Sequence, residues 1–263
     1  MSSQSQVSVL HKFKGILFST MSSEELLHAL DSFDVREDDV FLVSYPKSGT
    51  HWIAEVIESI PNARISLTSP IELGDVSKLE ELKTYSERRV IPTHLSYDLL
   101  PVNIKQKQCK IIYIIRNPKD TAVSLFHYYR ENPNLPYIET WNPAIILTIA
   151  QFTFLPVVYG SWFDHVLSWE EHRNDKNILI IFYEEMKKVS IYFVTKQLTL
   201  KLGAFVSNSP LVTFKTSYPP LCIRHLNWFL SDLSPIFLGV VGDWINYFTS
   251  KQKSVFDELF PRK

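Results

Sequence analysis

Three short apolar runs punctuate the chain: VFLVSY at 40–45, KIIYII at 110–115 and NILIIFY at 177–183. They are rich in β-branched and aromatic residues and do not alternate with polar ones. That pattern predicts strands covered on both faces, as in a parallel sheet. Helical patterns follow the runs: HWIAEVIESI after the first, DTAVSLFHYYR after the second, and a less regular segment from Glu184 after the third. Strand-then-helix alternation predicts an α/β fold with a central parallel sheet flanked by helices. RVI at 89–91 is a further short strand candidate. Upstream, MSSEELLHAL reads as a helix start, with Ser22 as cap and Glu25 reaching back to it. The polar residues before it, 1–20, are expected to be mobile. No internal repeat or low-complexity linker interrupts the pattern, so residues 1–263 are read as a single domain.

Composition narrows the function. Of the residues 45% are apolar, enough for a sizeable core. Lys and Arg number 27 against 28 Asp and Glu, so no cationic surplus exists to neutralise a nucleic-acid backbone, and any anion site must be local. Cys109 and Cys222 belong to no metal-binding spacing and read as reduced, partly buried thiols. The N-terminus lacks the apolar core of a signal peptide. The most apolar stretch, 143–167, is broken by Gln151, Pro156 and Asp164, unlike a membrane span. A cytoplasmic protein, without membrane or metal, is the expectation.

The segment YPKSGTHW at 45–52 lies where a buried strand ends and a helix begins. A helix N-terminus presents unpaired N–H groups and partial positive charge. Gly49 lets a phosphate approach the backbone, Lys47 adds a full charge, and Ser48 and Thr50 add hydroxyl donors. The spacing is not that of a GxxxxGK[ST] loop, because Lys47 precedes Ser48 and Gly49. A P-loop kinase or GTPase is thereby disfavoured, and an acidic strand end of the kind such enzymes use for metal binding is also missing.

PKSGTHW after a buried strand resembles the cytosolic sulfotransferases. Two further segments carry the same resemblance: RNPKDTAVSLFHYY at 116–129, and GDW followed by N-x-F-T at 242–249. The resemblance runs from about residue 38 to 257. It implies a P-loop-like phosphosulfate-binding loop formed by Lys47, Ser48, Gly49, Thr50, His51 and Trp52, with Trp52 against the adenine. It also implies that Arg116 and Ser124 hold the 3'-phosphate of the donor, 3'-phosphoadenylyl sulfate (PAPS). Tyr183, Thr213, Phe214 and Gly239 match further donor-binding positions, and His94, in PTHL, matches the family's catalytic His. The chemistry suits these residues. Lys47 neutralises the leaving phosphate, and a neutral His94 takes the proton of a small acceptor's hydroxyl or amine. Phe126, Tyr128, Tyr129, Trp141, Phe152 and Phe154 are candidates for an apolar acceptor pocket or for core.

The match departs from the family in places. Phe237 and Leu238 stand where the family has Arg and Lys before Gly239, and Pro92 replaces a Lys before Thr93 and His94. The family's dimer segment is altered at Ile245, Ser250 and Ser254, so a monomer or weak homodimer is expected. Two readings stay open: an active small-molecule sulfotransferase, and a degenerate relative that binds nucleotide weakly and turns over little.

Overall fold

The structure is a computed structural model that describes residues 9–60, 63–141, 157–188, 198 and 240–259. Thr213, Phe214, Phe237, Leu238 and Gly239 lie outside the described residues, as do Cys222, Phe152 and Phe154. Strands β3 (Val40–Ser44), β4 (Val90–Thr93), β5 (Lys110–Ile115) and β6 (Ile178–Phe182) form one parallel sheet in the order β4-β3-β5-β6. Helices α2 (Thr50–Glu58), α5 (Pro118–Glu131) and α7 (Tyr183–Lys188) follow β3, β5 and β6, so the expected strand-then-helix alternation holds. The remaining described helices are α1 (Glu24–Ala29), α3 (Ser77–Thr84), α4 (Val102–Gln106), α6 (Trp162–Glu170) and α8 (Ser250–Leu259). No helix of the described residues is long and apolar enough to cross a membrane.

Side chains alternate across the sheet even though the strand runs do not alternate in polarity. Phe41, Val43, Ile91, Ile111, Tyr113 and Ile115 join one core with α1, α5 and α6. Val40, Leu42, Val90, Ile112 and Ile114 join the other core with Ile53, Val56 and Ile57 of α2 and with Tyr183 and Met186 of α7. Both faces of β3, β4 and β5 are covered, which is why these strands are apolar, and Ile178–Ile181 of β6 lie half-buried against the same two cores.

At the β4 edge, Pro92 cannot donate to a ladder, and its position at an edge meets that restriction. The edge is closed by the segment before α3: Ser66 N–H donates to the Val90 carbonyl at 2.9 Å and Ile71 N–H to the Pro92 carbonyl at 2.8 Å. Arg89 fixes the start of this strand pair. Its Nε donates to Asp39 Oδ1 at 2.7 Å, with both residues fully buried.

Three local expectations shift. The strand foreseen at 89–91 is displaced to 90–93, because Arg89 is used by Asp39 and Val90 pairs with Val40. Ser23, not Ser22, caps α1, accepting from Leu26 N–H at 3.1 Å, while Ser22 is buried beneath it. Within 1–20, residues 10–19 form a hairpin, β1 (Leu10–Phe13) with β2 (Ile16–Ser19). Lys14 and Gly15 make its turn, both at positive φ, and Phe18 sits fully buried in the core.

Candidate functional site

The loop between β3 and α2 is tight. Ser48 N–H donates to the Tyr45 carbonyl at 3.1 Å, Lys47 takes φ +66° and Gly49 φ +107°. Gly49 is the N-cap of α2, and no side chain caps the helix. The opening N–H groups of α2 are thus left for an anion. Ser48 Oγ is buried and lacks a hydrogen-bond partner, as does Arg116 Nε. Two unsatisfied polar atoms of this kind fit a site that an anionic group completes.

Gly49 is required by its neighbour as well as by its backbone. A Cβ built on it would stand 2.5 Å from Cδ2 of Tyr183, inside any tolerable contact. We expect Gly49→Ala to displace the Tyr183 ring and to cost about 1–3 kcal/mol of stability. Denaturant unfolding checks this, and an unchanged midpoint would contradict the close approach.

Arg116 follows β5 and reaches back to the loop. Its Nη1 donates to the Lys47 carbonyl at 2.8 Å and its Nη2 to the Val240 carbonyl at 3.3 Å. Its guanidinium lies 4.8 Å from the Tyr183 ring centre. Asn117 caps α5 with its side chain, and Pro118 occupies the first turn, which places Ser124 two turns on along the same helix. Asp120 accepts from the backbone N–H groups of Gly242 and Trp244 at 2.8 and 3.0 Å, and so ties the GDW segment to α5.

Lys47, Gly49, Thr50, His51, Trp52, His94, Arg116, Ser124 and Tyr183 all line one cavity of about 330 Å³. The residues singled out from four separate segments therefore meet. Ser48 is buried behind the lining. The remaining wall is largely apolar, with Met21, Leu73, Leu125, Leu135, Val158, Tyr128 and Tyr159. Of the aromatics proposed for an acceptor pocket, Tyr128 lines the cavity. Phe126 and Tyr129 are core, and Trp141 packs between Phe126 and Phe248.

Burial sets the protonation of the two central groups. It lowers the Lys47 ammonium to about 8, with the Arg116 charge adding to the effect. It lowers His94 to about 4 against the opposing pull of the Ser44 carbonyl. His94 Nδ1 stands 2.8 Å from that carbonyl, which can only accept. Nδ1 therefore carries the proton, and Nε2 is the basic nitrogen of a neutral ring.

Sequence reasoning missed several supporting groups. Glu72 is fully buried and accepts from His94 N–H and from Thr93 Oγ1, each at 2.8 Å. His165 Nε2 donates to the His94 carbonyl at 3.1 Å. Lys187 Nζ lies 5.1 Å from the Trp52 ring centre and 5.7 Å from that of Tyr183. Glu184 accepts from Asn117 N–H at 2.7 Å and holds the turn after Arg116. Only the Tyr-Glu-Glu-Met context of the last two offered a signal.

Residues 37–196 match the model of the sulfotransferase domain. The chain is 34% identical over 258 residues to mouse sulfotransferase 6B1, with 94% of this chain and 84% of the relative covered. It is 34% identical over 259 residues to mouse sulfotransferase 1B1, covering 89% of this chain and 85% of that one. Among solved structures it is similar to mouse sulfotransferase SULT7A1 complexed with PAP. That likeness has 59% identity and a TM-score of 0.82, covering 96% of this chain and 93% of the other.

Proposed function

The chain belongs to the sulfotransferase family, and we propose that it moves the sulfuryl group of PAPS to a hydroxyl or amine of a small, largely apolar acceptor. The observation that carries this reading is that His94 and Lys47 line the same cavity as Arg116 and Ser124. The acceptor oxygen or nitrogen forms a bond to sulfur, and its proton passes to His94 Nε2. The bond from sulfur to the phosphate oxygen breaks, and the electron pair leaves with adenosine 3',5'-bisphosphate (PAP). Lys47 and the α2 N-terminus neutralise that charge, while Arg116 and Ser124 hold the 3'-phosphate. Trp52 and Tyr183, whose rings meet edge-on with centres 6.2 Å apart, both line the cavity and serve as the aromatic contacts of the adenine. Calorimetric titration with PAP tests the donor assignment directly, and no detectable binding would remove it.

The low Lys47 value makes donor binding pH-dependent. In the free protein the ammonium loses its proton around pH 8, whereas a bound phosphate holds it protonated. PAP affinity is therefore full below pH 8 and falls above it, by about tenfold between pH 7 and pH 9. Lys47→Arg removes this dependence, since the guanidinium stays charged. An affinity constant over that range in the natural chain would contradict the assignment of Lys47 to the phosphate.

The second reading, a degenerate relative with weak nucleotide binding, is favoured by Phe237 and Leu238 at the family's Arg and Lys positions. Arg116 and Ser124 would then carry direct recognition of the 3'-phosphate. On this account Phe237→Arg with Leu238→Lys strengthens PAP binding by about 1.5–3 kcal/mol per regained contact. The gain is absent for adenosine 5'-phosphate. If the natural chain already prefers PAP by about a thousandfold, roughly 4 kcal/mol, other residues serve as the clamp. We place the protein in the cytoplasm as a single domain, a monomer or weak homodimer. The alteration of the family's dimer segment at Ile245, Ser250 and Ser254 supports that state.

A further inference from the structure

His94 is held at three atoms by three separate parts of the chain. Its ring Nδ1–H donates to the Ser44 carbonyl at the end of β3, at 2.8 Å. Its carbonyl accepts from His165 Nε2 on α6, at 3.1 Å. Its backbone N–H donates to Glu72 Oε1 at 2.8 Å, while Oε2 of the same carboxyl accepts from the Thr93 hydroxyl at 2.8 Å. Glu72 is 0% exposed and is not among the residues that line the cavity. A carboxyl group buried to that degree is costly unless its partners are well placed. Glu72 is itself located by the backbone, because Ile71 N–H pairs with the Pro92 carbonyl at 2.8 Å. Its two oxygens therefore address the last residue of β4 and the residue that follows it.

The His165 arm is fixed in the same manner. The His94 carbonyl can only accept, so His165 carries its proton on Nε2 and receives the Tyr113 hydroxyl at Nδ1, at 3.0 Å. Tyr159 packs edge-on against the His94 ring, with centres 5.5 Å apart. The imidazole thus has its backbone fixed on both sides and one ring nitrogen occupied. A loop residue one position past a strand would otherwise be free to turn.

We infer that Glu72 is a positioning residue for His94: the carboxyl group sets the backbone at 93–94 so that the imidazole meets the Ser44 carbonyl and keeps Nε2 as its basic nitrogen. The inference rests on His94 being the base, and its test is chosen to separate the two. Ring-nitrogen NMR of histidine-labelled protein reports the tautomer without any acceptor, and His94→Ala identifies the signal. In the natural chain His94 shows one neutral tautomer, protonated at Nδ1. Glu72→Ala converts this to a mixture of tautomers and lowers single-turnover sulfation of 2-naphthol from PAPS by about 10²-fold, the usual cost of misplacing a reacting group by about 1 Å. Glu72→Gln, whose amide oxygen can still accept from His94 N–H and whose amide N–H₂ can donate to Thr93, recovers most of both.

PAP affinity stays within about twofold in both variants, which shows that the donor site is folded and independent. In a His94→Ala background the further change Glu72→Ala adds little, since Glu72 acts through His94. A Glu72→Ala protein that retains the natural ring signal would overturn the inference. So would an equal loss of turnover with and without His94. If His94→Ala turns over normally while Glu72→Ala still releases the ring, positioning stands and the base assignment fails.

Discussion

Replacing His94 by Ala lowers turnover by about 10²–10⁴-fold, the usual share of a general base, and leaves PAP affinity within about twofold. The expectation follows from the ring's hydrogen bonds. Ser44 takes the Nδ1 proton at 2.8 Å, so Nε2 has its lone pair available. Burial lowers the ring to about 4, so it is neutral throughout the physiological range and needs no deprotonation before it acts. The acid limb of kcat/KM attributable to His94 accordingly lies near pH 4, below the ordinary histidine value. An anionic donor in the cavity favours the imidazolium, so the limb of kcat lies higher than that of kcat/KM. Steady-state profiles from pH 4 to 9, with calorimetry of PAP binding to the variant, check both parts. A loss of PAP affinity with intact turnover of the bound donor would assign His94 to binding.

The parts of this architecture that could be read from sequence share one property: their signal is contiguous. Three of the four sheet strands were visible because their runs are apolar and unbroken: β3 and β5 are covered on both faces, as at 110–115, and β6 packs half-buried against the same two cores. The candidate loop at 45–52 was visible because Lys47, Ser48, Gly49 and Thr50 occupy adjacent positions on one turn. The supports of His94 were not visible, because they come from far along the chain. Glu72 is separated from His94 by 22 residues and His165 by 71. Neither sits in a spacing that periodicity could detect, since each reaches across the fold to the backbone of His94, Glu72 with a second bond to the Thr93 hydroxyl.

The hairpin at 10–19 was missed for a different reason. Its apolar positions Leu10, Phe13, Ile16 and Phe18 are interleaved with lysines and read as a polar leader, although the Lys14-Gly15 pair is turn chemistry. The cap of α1 slipped by one because Ser22 and Ser23 are chemically equivalent in sequence. Only the buried position of Ser22 distinguishes them.

Lys47→Ala should be the most damaging single change in the donor loop. The backbone at 47 sits at φ +66°, but Lys and Ala both carry a Cβ, so the substitution changes charge without changing that strain. What is lost is the ammonium, which lines the cavity together with Arg116 and His94. In the ground state this removes a charge-assisted contact to the donor worth about 1.5–3 kcal/mol, or one to two orders of magnitude in PAP affinity. In the transition state, where charge develops on the leaving phosphate, it removes a further stabilisation of about 10²–10³-fold in turnover. The two losses are separable. Saturating PAPS restores the first and leaves the second, so single-turnover rates at high donor concentration isolate the effect on chemistry. Arg116 does not compensate, because its Nη1 is engaged with the Lys47 carbonyl at 2.8 Å and that backbone contact survives the substitution. Turnover at the natural rate under saturating PAPS would show that the leaving phosphate is neutralised elsewhere, and the assignment of the 45–52 loop to sulfuryl transfer would fall with it.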